Sequence, residues 1–463
     1  MALPFARLSP RPVPPLLAPR SSDEYAPLPP GLPERQAVAL VSAAAESHAP
    51  RLGLSPAGYL RDRRGTATTL RAIDDGAGGG FYAVPPEAET DAAAADRALG
   101  GSEPVIDVQT HLVRPSRVAT TGAEALFGFL RMVDPERWGG GIDLELLSAA
   151  EWAACVFGGS ETAVALLTSP PGRPEDNVLT NDDIAAARAI VDRYAGGQRV
   201  LTHTIVHPNL GPTELDAMVD WHDRLAPAGW KVYTLWSPPE HGTGHGWYLD
   251  DEETGIPFLE RVRDLGPRIV CAHKGIAGPV ASLAPASASP RDVGPAAAAF
   301  PDVTFVVYHS GYEPDVSEEG AHADGPDRGV SRLVTSLADA GVAPGGNVYA
   351  ELGSTWFLML RRPREAAHVL GKLLLAVGED RILWGTDSVW YGAPQHLIDA
   401  FRAFRIPEWM QEQFGYPALT DAARAKILGA NASQLYDLDL TTVDPVSRDW
   451  VTAAADELSS RLA

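Results

Sequence analysis

VTFVVYHS, residues 303–310, is the stretch on which the fold turns. It opens with a run of apolar and β-branched residues, leaves no face for water, and closes on His309 and Ser310. A short run of this kind is a strand buried on both faces, as strands of a parallel sheet are. The same design recurs outward in both directions. Before it stand PVIDVQTH (104–111), TAVALLT (162–168), RVLTHTIV (199–206), GWKVYTLW (229–236) and RIVCAHK (268–274); after it come NVYAEL (347–352) and RILWGTD (381–387). Amphipathic helical patterns lie between them, among them NDDIAAARAIVDRYAGG (181–197), with Asn181 expected as N-cap and Gly196 as stop, GPTELDAMVDWHDRLAPAG (211–229) and PREAAHVLGKLLLAVGED (363–380). Strand and helix alternating eight times over about 290 residues predict a (β/α)8 TIM barrel across residues 102–438.

The flanks read differently. Residues 1–101 form a Pro/Ala/Gly-rich, partly helical extension of about 100 residues, with a mobile start over 1–33. Helices are expected at Pro33–His48 and Ser55–Ile73, followed by the connector GAGGGFYAVPPEAE and the Ala-rich DAAAADRALGG. Residues 439–463 read as a C-terminal helical tail. The extension is expected to pack outside the barrel or to contact a second subunit in a homo-oligomer.

Of 463 residues, 45% are hydrophobic and 21% charged, enough to bury a large core. A formal charge of -22 repels phosphate backbones and anionic headgroups, so neither nucleic acid nor a membrane is an expected partner. Cys155 and Cys271 are too few for a disulfide framework. No apolar run is long enough to span a bilayer, prolines interrupt the N-terminal apolar stretch, and Arg63–Arg64 lack the apolar run of an export signal. The expected setting is the cytoplasm and the expected partner a small-molecule substrate. Lysine occurs only at 231, 274, 372 and 426, so each is a candidate for a specific task.

A barrel of this type places its chemistry where the strands end. Those positions hold Gln109 and His111, His207, Lys231 and Trp236, His273 and Lys274, His309, Glu351, and Asp387. Polar groups repeated at the ends of apolar strands are costly unless they converge on an ion or substrate. Gln109 and His111, two apart, point to one face. His111, His273 and Asp387 would supply a divalent-metal site, with zinc or manganese expected, that leaves room for water. His309 suits acid-base work, and Glu351 could support it or contact substrate.

DVQTHLVRP, VCAHKGI, VVYHSGY, LWGTDSVWYG and the closing LTDAARAKILGANASQLYDL resemble, over residues 104 to 438, the amidohydrolase superfamily, in the branch of metal-dependent hydrolases that also holds aromatic-acid decarboxylases. The resemblance implies a strand 1 His-x-His, with the strand 8 acid, Asp387, binding metal and handling the proton of the attacking water. Gln109 stands where the first histidine of that pair is expected, and an amide oxygen suits a harder ion than zinc. In binuclear relatives a strand 4 lysine is carbamylated; with Gln109 present, one metal is expected, with Lys231 an ammonium that binds an anionic or carbonyl oxygen. His309 corresponds to a histidine that polarises water or substrate.

Trp236, Trp247, Trp356, Trp384, Trp390 and Tyr312 crowd the same rim, which favours an aromatic or apolar substrate, with Trp236, Lys274, Glu351, Trp384 and Trp390 as binding candidates. Residues 112–160 and 237–254 are long enough for lids; His241 and His245 are read as lid residues rather than ligands. The leading expectation is hydrolysis of a C–N or C–O bond, with Asp387, His309 and Lys231 as catalytic groups. The alternatives are non-oxidative decarboxylation of an aromatic acid and a catalytically silent barrel with a binding role.

Overall fold

The computed structural model describes residues 13–463 apart from 23, 26–28, 122–129, 132–134, 142, 173, 175–176, 237–245, 278–284, 323–324, 326 and 444–445. His241 and His245, with much of both expected lids, lie outside the described residues. Eight parallel strands follow one another in sequence order: β1 (Val105–Thr110), β2 (Thr162–Leu167), β3 (Val200–Ile205), β4 (Gly229–Tyr233), β5 (Ile269–His273), β6 (Thr304–Tyr308), β7 (Val348–Glu351) and β8 (Ile382–Leu383). The ring closes where Thr110 bridges Ser388 and the Asp387 amide donates to the Gln109 carbonyl at 2.8 Å. Each strand falls within the segment expected from sequence, and the architecture is the (β/α)8 barrel.

The strands lack a water-facing side because both faces are used. Ile106, Val108, Val164, Leu166, Leu201, Cys271, Val306, Tyr308 and Leu383 fill the inside. Trp230, Val232, Val270, Ala272, Phe305 and Val307 meet the helix layer outside. The helix Asn181–Ala195 shows how local chemistry sets its ends. Its N-cap is Thr180, one residue earlier than expected, because Thr180 and Asp183 form a reciprocal capping box. Asn181 is occupied elsewhere: its amide accepts from Ile205 N at 2.9 Å and donates to Ile205 O at 3.1 Å, stapling the helix to β3.

The extension folds as helices Leu32–His48, Pro56–Arg61 and Arg63–Gly76. The single helix expected over Ser55–Ile73 is broken at Asp62, whose carboxylate caps the second piece by accepting from Arg64 N at 3.0 Å. This unit docks on the helix Gln395–Ala403 through Arg63–Asp399 and Thr66–His396 contacts. At the other end of the chain, Val451, Ala454 and Leu458 of helix Arg448–Arg461 pack with Trp152 and Ile184. Within the expected mobile start, Leu16, Leu17, Ser21, Ser22, Glu24 and Tyr25 are buried. Among the described residues no helix is long and apolar enough to cross a membrane.

Candidate metal centre

The C-terminal ends of β1, β5, β6 and β8 bring Gln109, His111, His273, His309 and Asp387 to one buried place. The backbone is bent to do so. His309 and Asp387 adopt φ of 64° and 62°, and Ser310 and Ser354 both 53°. Left-handed conformations of non-glycine residues are strained, and they cluster here where the chain must turn a side chain into the mouth directly after a strand. Close approach also requires Gly385, since a Cβ there would lie 1.8 Å from Glu351 Oε1.

Each imidazole is oriented by a backbone carbonyl. His111 Nδ1 lies 2.8 Å from Thr168 O, His273 Nε2 2.5 Å from Ile276 O, and His309 Nδ1 2.7 Å from Gly353 O. A carbonyl only accepts, so these nitrogens carry the protons and His111 Nε2, His273 Nδ1 and His309 Nε2 are left to face the centre. Asp387 Oδ1 is 3.1 Å from His111 Nε2 and accepts from Gln109 Nε2 at 3.2 Å. The other oxygen of Asp387 accepts from Ser354, which joins Tyr391 and, through it, Tyr25. Gln109 Nε2 also lies 3.4 Å from both His111 Nε2 and His309 Nε2, so its amide sits between the imidazoles.

A residue absent from the sequence expectation completes the group. Glu24, from the extension, places Oε1 3.2 Å from His273 Nδ1 and Oε2 3.2 Å from His309 Nε2. Neither approach meets hydrogen-bond geometry: among the described residues both Glu24 oxygens, His273 Nδ1 and Gln109 Oε1 are buried without a hydrogen-bond partner. Oxygen and nitrogen therefore face a shared point. Glu24, His273 and His309 have ligand atoms mutually within 4.8 Å, and this mixed carboxylate and imidazole set fits a divalent cation.

Electrostatics follow from this crowding. Burial pushes the Glu24 carboxyl up, but His273 and His309 beside it outweigh that and hold it well below the usual range. For His309, burial opposes the proton but Glu24, Asp387 and Glu351 favour it, raising the pKa to about 9. His273 goes the other way, lowered by burial. Glu351, raised to about 7 by burial, accepts from His309 N at 3.1 Å and from Gly353 N, so it braces the turn that aims His309.

The other expected residues lie apart. Lys231 is in the barrel floor, paired in register with Cys271 rather than His273, its ammonium 3.6 Å from the Tyr308 ring centre and without a hydrogen bond. Lys274 is committed to Asp292 at 2.7 Å, Ser287 O and Thr234. Trp236 meets His207, with ring centres 5.2 Å apart. Trp384 stacks toward Phe401 in the helix layer, and Trp390 packs with Val113, Val118 and Leu147. Trp247 packs on Phe258, Trp356 on Phe401 and Phe404, and Tyr312 accepts from Arg362.

The sequence profile of the amidohydrolase family matches residues 106–438, from β1 through the last strand and beyond it. The chain belongs to the amidohydrolase family. It is an enzyme of that family, with the strand-end residues of the matched region forming the buried centre. A search of the curated proteins finds no match. Among solved structures, this amidohydrolase is similar to 5-carboxyvanillate decarboxylase from Novosphingobium aromaticivorans with bound manganese (13% identity, 73% of this chain and 98% of that one, TM-score 0.44). It is also similar to 2,6-dihydroxybenzoate decarboxylase from Rhizobium (17%, 73% and 100%, TM-score 0.41). A third is a protein from Pseudomonas putida described as a 2-pyrone-4,6-dicarboxylic acid hydrolase (15%, 73% and 100%, TM-score 0.42).

Proposed function

We propose that this amidohydrolase is a metal-dependent hydrolase that cleaves a C–N or C–O bond of a small organic substrate. One observation carries the reading: three imidazoles, each tethered through one nitrogen to a backbone carbonyl, turn their other nitrogens into the mouth, His111 toward Asp387, His273 toward Glu24 and His309 toward Gln109 and Glu24. Ligand orientation by carbonyl acceptors is what a preorganised ion site needs. His111, His273 and Asp387 would hold the ion, with His309 beside them. A divalent ion there supplies Lewis acidity, polarising a carbonyl and acidifying water.

The chain's own groups supply the rest. Asp387, anchored by Ser354 at one oxygen, takes the proton from water at the other. His309, which favours its proton, returns one to the leaving nitrogen or oxygen. Lys231 adds positive charge from the floor, favouring an oxyanion above it. The test is incubation of manganese- and zinc-loaded protein with panels of amides, esters, lactones and hydroxybenzoates, followed by mass spectrometry and carbon dioxide detection. Addition of water to an amide, ester or lactone supports the reading; carbon dioxide release from an aromatic acid without hydrolysis replaces it with decarboxylation.

A further inference from the structure

Strand 1 offers a neutral amide at Gln109, so with its imidazoles neutral the strand-end set His111, His273, His309 and Asp387 carries a single negative charge. Glu351 adds none to the ion, because its oxygens are taken by the amides of His309 and Gly353. Lys231 below is cationic and has no hydrogen-bonded acid partner. A divalent ion in such a buried place would leave uncompensated positive charge, which a protein interior opposes strongly. Among the described residues one further carboxylate reaches this point, and it comes from outside the barrel.

That carboxylate is held in place, not loosely inserted. Glu24 N donates to Ser22 Oγ at 3.1 Å, and Tyr25 Oη donates to Arg20 O at 3.1 Å. Tyr25 Oη accepts from Tyr391 Oη at 3.0 Å, and Arg361 donates to Ala18 O at 3.3 Å. Leu16 and Leu17 are buried on the same stretch. The strap is thus pinned on both sides of Glu24, and both carboxylate oxygens, which make no hydrogen bond to the described residues, are directed at imidazole nitrogens.

We propose that Glu24 is a metal ligand supplied in cis by the N-terminal extension, replacing the ligand that strand 1 lacks at Gln109. The extension is then part of the metal centre. This rests on the metal-dependent reading above. The two residues approach the same atom, Glu24 Oε2 at 3.2 Å and Gln109 Nε2 at 3.4 Å from His309 Nε2, so a ligand restored at 109 can stand in for one removed at 24.

The test uses the full chain, stripped with chelator and titrated with manganese, free ion being read by electron paramagnetic resonance. Loss of a mere supporting partner weakens metal binding by about 10- to 100-fold, so Glu24→Gln is expected to weaken it at least that much. Glu24→Asp keeps the charge but withdraws the oxygens, and is expected to fall between. Gln109→His added to Glu24→Gln is expected to restore much of the loss, and this recovery also shows that the single variant folds. Unchanged affinity in Glu24→Gln, or no recovery in the double variant, overturns the proposal while leaving the hydrolase reading intact. Wild-type protein that fails to bind manganese overturns both.

Discussion

Two buried lysines differ in how completely the protein around them satisfies their charge. Lys372, on helix Pro363–Ala376, donates to Glu318 Oε2 at 2.9 Å, Glu318 O at 2.7 Å and Ser331 Oγ at 2.9 Å. Glu318 in turn accepts from Val330 N and Ser331 Oγ, so the pair is closed on itself. Lys231 is as deeply buried, yet its ammonium faces the Tyr308 ring, and above it Glu24, Gln109 and His273 also keep unpartnered atoms. A polar group that completes its bonds inside the protein holds the fold. A cluster that leaves its lone pairs converging is built for something from outside.

The comparison breaks most sharply at Asp387. Asp387→Ala should lower kcat by about 10²- to 10⁴-fold, as loss of a general base does, with thermal stability little changed. Lys372→Met should do the reverse. It strands the Glu318 carboxylate in the interior, so unfolding in urea should show a loss of about 3–5 kcal/mol while metal content stays at the wild-type value.

pH sharpens the contrast at the mouth. In metal-free protein the folded state holds the His309 proton up to about 9, against about 6.5 in the unfolded chain. The stability this proton contributes is therefore complete below about 6.5 and is lost as pH rises toward about 9. A divalent ion beside the imidazole disfavours the same proton, so apparent manganese affinity should rise with pH in this window, by at most about tenfold per pH unit, measurable by isothermal titration. The smallest effect belongs to Lys231, whose pKa burial lowers to about 8 from roughly 10.4 unfolded. Between these values the unfolded chain binds the proton that the folded one has released, so stability should rise with pH. Lys231→Met should flatten that rise and leave neutral-pH stability equal or higher.

The barrel was legible because parallel strands buried on both faces leave apolar runs that need no partner to identify them. The strand-end residues were legible for the same reason: a His or Asp closing such a run, as at His273, His309 and Asp387, is conspicuous. Glu24 was not. It lies in RSSDEYAPLPP, where prolines and serines erase any periodicity, and its partner residues are hundreds of positions away. Its one signal is that Asp23 and Glu24 are the first acids of the sequence, in a stretch otherwise made of apolar, basic and serine residues. The rim tryptophans misled through proximity in sequence: Trp384 follows a strand but faces the helix layer, since neighbouring residues on a strand point oppositely. Lys274, adjacent to His273, is turned outward to Asp292 in the same way.

The central claim, that the strand ends hold a divalent ion, is tested most directly by anomalous diffraction from crystals grown with manganese. The account predicts one strong peak per chain bounded by His111 Nε2, His273 Nδ1 and Asp387, with donor distances of about 2.0–2.3 Å. Ordered side chains with no anomalous density among them, or a peak confined to the protein surface, would contradict it.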